Sequence, residues 1–472
     1  MANVVLISPP FVTDYMRNAR CDFVSLSHSS WYPIWLGQAG AYLESRGHRT
    51  RLLDAQILGM THEEALRDIE AFGADVVAVY TGRLSEDNDI EFADAAAAAG
   101  RTVVFVGPYT SIDPAAVLEK ARRVSLAIRK EFDLPLEELA SGADPARQPN
   151  FAVKDGTTGE VKETPPRPLL KTEVLDTFPL TSPYFHRQLD IRRYKTPSEL
   201  HPFIDVMSGR GCAWGRCTFC LWVQTFVTGS VYNLRSLEHF MGEFDYIRRH
   251  MPEIKSVMIQ DDMVTDKRAR QISEALLERG DGIRWSCYAK PNSKLAQETL
   301  DLMKRSGCLN LHVGFESGDD EVLARIDKGS TVEHAKEFAR MVHAAGLQIH
   351  GDFAMGHLGD TMESMQRTID LARAINPHTA QFQIMIPFKG TKFWRQLDEI
   401  GAWSETGEPS YERVGGASAE EIRRMAKAGY RQFYLSGAYL KKVLAQPREY
   451  FLNRFDQYVR AVPAVTWGRW VK

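Results

Sequence analysis

Ser208-Gly209-Arg210-Gly211-Cys212-Ala213-Trp214-Gly215-Arg216-Cys217-Thr218-Phe219-Cys220 gathers three of the chain's six cysteines into nine residues. Six cysteines in 472 residues make no disulfide scaffold. Clustered thiols in a reducing compartment point instead to metal or cluster ligation. The stretch directly follows an apolar run at 204–208, which places the thiols on a loop at the end of a strand. Three thiolates on one short loop can hold three irons of a [4Fe–4S] cube and leave the fourth open. Flanking glycines suit backbone that wraps closely around such a group. Three other readings compete. Zinc wants four ligands, so Cys287, Cys308 or His312 would have to complete the set from a distance. Ordinary buried cysteines would not crowd into one loop. A phosphate loop fails on spacing, because the glycines counted from Gly209 follow no nucleotide fingerprint.

The run at 204–208 opens an alternating series that continues to about residue 390. Strands are predicted at 204–208, 256–260, 284–288, 309–314, 348–355 and 380–386, with helical periodicity at 237–250, 267–279, 297–306 and 331–345. Six β/α units predict a partial (β/α)6 barrel, with its chemistry at the C-terminal ends of the strands. Ahead of it, residues 1–142 alternate strands (4–8, 49–54, 76–80, 103–106, 124–129) with helices (36–46, 62–72, 90–99). That pattern predicts a Rossmann-like, doubly wound parallel sheet, so the class is α/β. Ligands of such sheets sit beyond the strand ends, here Ser8-Pro9-Pro10, the turn from Thr81 to Ser85, and Gly107-Pro108-Tyr109. Residues 143–200 read as a linker carrying a hairpin over 151–161, with Asp155-Gly156 in its turn. The barrel is assigned to 201–395, and a helical, aromatic C-terminal region to 396–472.

A net charge of −3 gives no electrostatic case for nucleic acid or an anionic membrane. No apolar run approaches a membrane span. Val4-Val5-Leu6-Ile7 is too short for a signal peptide and runs into Pro9-Pro10, so it reads as a first buried strand of a cytoplasmic protein.

The cysteine segment resembles the radical S-adenosylmethionine (SAM) superfamily, in its cobalamin-binding branch with a Rossmann-like domain in front. Other stretches extend the likeness to about residue 440. Asp261-Asp262-Met263 with Thr265 and Asp266 resembles the branch's acidic second-strand motif, and Gly314-Phe315-Glu316-Ser317-Gly318 its fourth-strand motif, followed by Lys328-Gly329. Gly356-His357-Leu358-Gly359-Asp360-Thr361 is similar to its Gly-x-Pro-Gly-Glu-Thr turn, and Pro387-Phe388-Lys389-Gly390-Thr391 to its Pro-x-Pro-Gly-Thr motif. Two departures stand out: four residues separate Cys212 from Cys217 where the branch has three, making Gly215 an insertion, and Leu358 replaces a proline. The resemblance implies a [4Fe–4S] cluster on Cys212, Cys217 and Cys220, and SAM held by Phe219, Lys290, Gly314, Glu316 and Ser317. Phe219 would seat the adenine or serve as a core aromatic. Glu316 would meet the SAM ammonium or stay structural. Lys290 would meet the SAM carboxylate or stay solvated. At least one of Asp261 and Asp262 is expected to cap the next helix, the alternative being a reach to substrate.

The same resemblance makes the first domain a cobalamin-binding module. Trp31-Tyr32-Pro33-Ile34-Trp35-Leu36 with Leu53-Asp54-Ala55 is similar to its opening, and Arg129-Lys130-Glu131-Phe132-Asp133 to its closing acidic motif. Thr81, Ser85, Gly107, Pro108 and Glu131 are then the candidate cobalamin contacts. No Asp-x-His-x-x-Gly is present, in keeping with relatives that bind the corrin without a histidine on cobalt. The alternative is a domain that has lost its ligand and serves as scaffold. Two reactions follow from the resemblance: C-methylation of an unactivated carbon of a secondary metabolite or lipid, or radical cyclisation or rearrangement, as in the magnesium-protoporphyrin ester cyclases and hopanoid-tailoring enzymes. Cys217 to Trp222, followed by Gln224-Thr225, is most like the hopanoid-tailoring group. The implied partners are a small-molecule substrate and an external one-electron reductant such as flavodoxin or ferredoxin. A non-catalytic iron–sulfur or cobalamin protein is the reading from another class.

Overall fold

The structure, a computed structural model, describes residues 1–17, 22–25, 27–280, 282–405 and 407–446. Its strands in chain order are β1 (Asn3–Ser8), β2 (Tyr15–Met16), β3 (Phe23–Val24), β4 (Arg49–Asp54), β5 (Val76–Tyr80), β6 (Thr102–Val106), β7 (Leu126–Ile128), β8 (Phe151–Lys154), β9 (Val161–Glu163), β10 (Phe203–Val206), β11 (Gly209–Cys212), β12 (Val231–Leu234), β13 (Ser256–Ile259), β14 (Arg284–Ala289), β15 (Cys308–Glu316), β16 (Gln348–Met355) and β17 (Thr379–Ile384). The first sheet runs β4-β1-β5-β6-β7-β8-β9. Its first five strands are parallel and the last two antiparallel. Continuous Val/Ile runs such as Val76–Tyr80 are buried throughout, as a sheet covered by helices on both faces demands.

The expected linker is corrected in one respect. The hairpin at 151–161 does not stand apart, because β8 pairs with β7 (Leu126 opposite Val153) and extends the first sheet to Glu163. Sequence periodicity marks a hairpin but cannot say which edge it joins.

The second sheet is parallel and strictly sequential, β10-β13-β14-β15-β16-β17, with a helix in every crossover. Period-2 alternation gives each of its faces a different job. On one face Phe315, Phe353 and Phe382 stack at 5.4 Å intervals across β15, β16 and β17. The helix Ala419–Tyr434 lies on that row, with Gly429 so close to Phe382 that an added Cβ would come within 2.6 Å of its ring. The C-terminal region therefore covers the last strands, and its expected stretch at 447–472 lies outside the described residues. The opposite, inner face presents Tyr288, His312, His350 and Thr379 side by side in register.

Candidate cluster and cofactor site

Beyond β10 the chain enters the antiparallel pair β11–β12, which sets Cys212 opposite Val231. The extra residue is absorbed by backbone shape. Gly215 has φ +60° and lies so close to the other side of the pair that a Cβ would sit 2.1 Å from the Gly229 carbonyl oxygen. Trp214 anchors the loop by donating Nε1–H to the Asp327 carbonyl at 2.7 Å. Its ring covers Gly329 and underlies the Lys290 Nζ, 4.1 Å from the centroid. Further on, the Thr218 amide donates to Ile326 O at 3.0 Å, and the Gln224 amide group donates to the carbonyls of Thr218 and Cys220.

These ties bring the three thiols into electrostatic range of one another. Burial pushes the Cys220 thiol up to about 12, assisted by the charges of Cys217, Asp262 and Cys212. Burial also raises Cys217, against Lys328 and Lys290. Such thiols become thiolates when a metal supplies the positive charge. Among the described residues no three His, Cys, Asp or Glu side chains converge as ligands of a single metal ion, which is what zinc requires. Cys308 is committed elsewhere, its Sγ 3.9 Å from Asn310 O. A [4Fe–4S] cube would take one of these thiolates at each of three corners.

Beside the loop, β15 ends in a register break between Gly314 and Glu316, and Glu316 has φ +67°. That twist aims its carboxylate at the Lys328 ammonium, 2.7 Å away. Gly314 makes room for the pair, since a Cβ there would lie 2.5 Å from Glu316 Oε1 and 3.0 Å from Lys328 Nζ. Lys290 donates to the Lys328 carbonyl, and burial with the neighbouring Lys328 charge lowers it to about 8. Phe219 packs between Lys328 and the buried His357, whose ring is 5.2 Å away. Burial, then the Lys328 charge, pushes His357 down to about 3.

At three expected positions the side chains already have protein partners. Ser317 is tied into the scaffold, its Oγ 3.3 Å from Thr368 Oγ1 and accepting from the Asp319 amide. Asp261 caps no helix, because Thr265 caps Asp266–Arg279. Asp261 instead accepts from the Ser208 and Gly209 amides at 2.7 and 3.1 Å and fixes the entry to the cysteine loop. Glu131 is spent on Arg210 (2.9 Å) and the Leu170 amide (3.1 Å), which leaves little for a corrin.

Arg210 is the residue that sequence reasoning missed. It lies in β11, two residues before Cys212, and reaches into the first domain. There its guanidinium donates to Glu131, to Asp133 at 2.8 Å and to Gln38 at 2.8 Å. The short helix Trp222–Thr225, just after Cys220, packs against Pro108–Ile112 at the strand end of β6. Gly107 turns there with φ +118°, and the Thr81 amide donates to Val106 O. Ser85 is engaged by Asp89, Arg17 and Tyr15. Thr110 Oγ1 and Trp222 Nε1 on these two helices, Ser8 Oγ and Tyr80 OH at the ends of β1 and β5, and Thr218 Oγ1 on the cysteine loop are buried without hydrogen-bond partners. Buried polar atoms normally find partners. A corrin rim, edged with amides, offers donors and acceptors to match, so the residues present fit that group.

Comparison with known proteins agrees with this geometry. Residues 206–372 match the family model of the Radical SAM superfamily, and residues 21–140 that of the B12 binding domain. The chain carries a radical SAM domain preceded by a B12-binding domain. Among its relatives, an uncharacterized methyltransferase of Pyrococcus horikoshii is 25% identical over 88% of this chain and 91% of its own. The bacteriochlorophyllide d C-12(1)-methyltransferase of Chlorobaculum tepidum is 24% identical over 82% and 81%. The radical SAM methyltransferase TsrM of Kitasatospora setae, solved with cobalamin and a [4Fe–4S] cluster, superposes with a TM-score of 0.67 at 19% identity, over 84% of this chain and 75% of that one. The radical SAM match begins at the end of β10 and closes within the helix Met362–Ile375, so it contains the cysteine loop, Glu316 and His357. Among the described residues no helix is long and apolar enough to cross a membrane.

Proposed function

We propose that this protein is a cobalamin-dependent radical SAM methyltransferase acting on an unactivated carbon of a small molecule. The observation that carries the reading is the packing of the helix that follows the cysteine loop against the strand end of β6 in the B12-binding domain, with Trp222 Nε1 and Thr110 Oγ1 on the two sides buried and unpartnered. Cys212, Cys217 and Cys220 would hold the [4Fe–4S] cluster, while Phe219, Lys290, Gly314 and Glu316 border the SAM site. Ser8, Thr81, Gly107, Pro108 and Thr110 would contact cobalamin. When bound, the cofactors supply one-electron cleavage of SAM and a methyl carrier. The protein's share is orientation and exclusion of water. Its inner barrel face adds polar groups for the substrate: His350 lies 3.4 Å from Asp352 and 4.8 Å ring to ring from His312, with Trp31 edge-on to His312 from the first domain. Such a lining favours a substrate bearing hydrogen-bonding groups over a bare hydrocarbon. The electrons come from a flavodoxin- or ferredoxin-type reductant in the cytoplasm.

The test is anaerobic cluster reconstitution with SAM and a reductant. 5′-Deoxyadenosine is the expected product and is lost in Cys217→Ala. S-Adenosylhomocysteine is expected beside it, and corrinoid absorbance after growth with cobalamin. An intact cluster that yields no 5′-deoxyadenosine sinks the proposal. Gly314→Ala is expected to part Glu316 from Lys328 and weaken SAM binding about tenfold, the worth of one charged hydrogen bond. Isothermal titration with the iron content held equal checks this.

A further inference from the structure

His357 follows Gly356 at the C-terminal end of β16. Its backbone is fixed, because the amides of Gly356 and His357 both donate to Asp360 Oδ2 at 2.9 Å. Its side chain is fully buried, yet neither Nδ1 nor Nε2 has a hydrogen-bond partner. A buried imidazole left this way costs stability. Two other histidines of the barrel are partnered. His343 Nε2 lies 3.0 Å from the Ile375 carbonyl, and His350 Nδ1 lies 2.7 Å from Thr379 Oγ1. The neighbours of His357 are also specific: Phe219, next to Cys220, and Lys328, which holds Glu316. The orphaned ring thus stands among the side chains that border the cluster loop.

We propose that His357 is a hydrogen-bonding contact for the adenosyl group of bound SAM, an inference that rests on the function proposed above. A neutral imidazole offers one donor and one acceptor. An adenine edge carries an amino donor beside ring-nitrogen acceptors, and the ribose hydroxyls can serve as either. The sulfonium has no use for such a group, and cluster sulfurs, which only accept, would use its donor and leave its acceptor idle. A nucleoside would satisfy both ring nitrogens of His357 at once.

The experiment titrates S-adenosylhomocysteine, which does not react, into the full chain with its cluster reconstituted. His357→Leu is expected to weaken its Kd about tenfold, while iron content and the spectrum of the reduced cluster stay as in the parent. Without nucleoside the same variant is expected to melt about 2–4 °C higher, because an unsatisfied buried group has been removed. His357→Gln, which restores a donor and an acceptor, is expected to regain most of the affinity. Unchanged affinity in His357→Leu overturns the inference, with or without a lower melting temperature. So does a loss that His357→Gln shares in full, since that marks shape rather than hydrogen bonding. A parent protein that holds its cluster yet binds no S-adenosylhomocysteine sinks the proposed function instead.

Discussion

Arg210→Met is expected to cost about 3–5 kcal/mol of folding stability, the penalty for leaving buried carboxylates without their cation. Methionine keeps the length and most of the volume of the stem, so packing against Trp35 and Phe178, now 4.8 and 5.3 Å from the guanidinium carbon, largely survives. What is lost is charge in a place water does not reach. Arg210 is 2% exposed and Asp133 1%. Burial opposes the charge on Arg210, and the Asp133 and Glu131 carboxylates more than offset it, raising its pKa. Remove the guanidinium and two carboxylates remain desolvated, facing each other. Urea unfolding gives the size of the loss, and a midpoint shift worth under 1 kcal/mol would refute the argument. The triple variant Arg210→Met, Glu131→Gln, Asp133→Asn is expected to recover much of it, because the uncompensated charges go with their partner. A second consequence is functional. β11 carries both Arg210 and Cys212, and the carboxylates belong to the B12-binding domain. Weakening this latch should therefore reduce iron content and corrinoid retention together.

The sequence made the two-sheet architecture legible because parallel strands buried on both faces leave continuous apolar runs, and amphipathic helices leave a 3.6-residue stripe. The helix Leu237–His250 and the strand Gln348–Met355 lie where that periodicity places them. What it hid is contact between distant segments. Arg210 and Glu131 are 79 residues apart, and no local pattern pairs them. The available signal was an arginine between two glycines at the entry to the cysteine loop. Asp261 looked like a helix cap because Thr265 and Asp266 follow it, but a carboxylate at a strand end can turn to the neighbouring strand, as this one does toward Ser208. Glu131 was read as a ligand contact through the resemblance of Arg129–Asp133 to the closing acidic motif. A buried carboxylate advertises a partner without saying whether that partner is a ligand or an arginine.

The inserted Gly215 is the sharpest test of the cysteine loop. Gly215→Ala is expected to empty the site of iron while leaving global stability within about 1–2 kcal/mol of the parent. Alanine is strained at φ +60°, and its Cβ would press on backbone, 2.1 Å from Gly229 O and 2.5 Å from Ser230 N, where no side chain can step aside. The loop between Cys212 and Cys217 must then lift away from β12, and the thiols part before the barrel unfolds. Gly229→Ala separates strain from collision. It has φ +84° with nothing within 4 Å of its Cβ position, so it should cost about 1 kcal/mol and keep its iron. Gly329→Ala approaches the loop from the other side, with a Cβ 2.1 Å from the Trp214 ring. Displacing Trp214 should free the same segment and lose the same iron. Iron and sulfide per chain after identical anaerobic reconstitution decide the matter. If Gly215→Ala and Gly329→Ala both retain a full cluster, the close packing around Trp214 does not hold the thiols in place, and the extra residue is carried by a loop that can adjust.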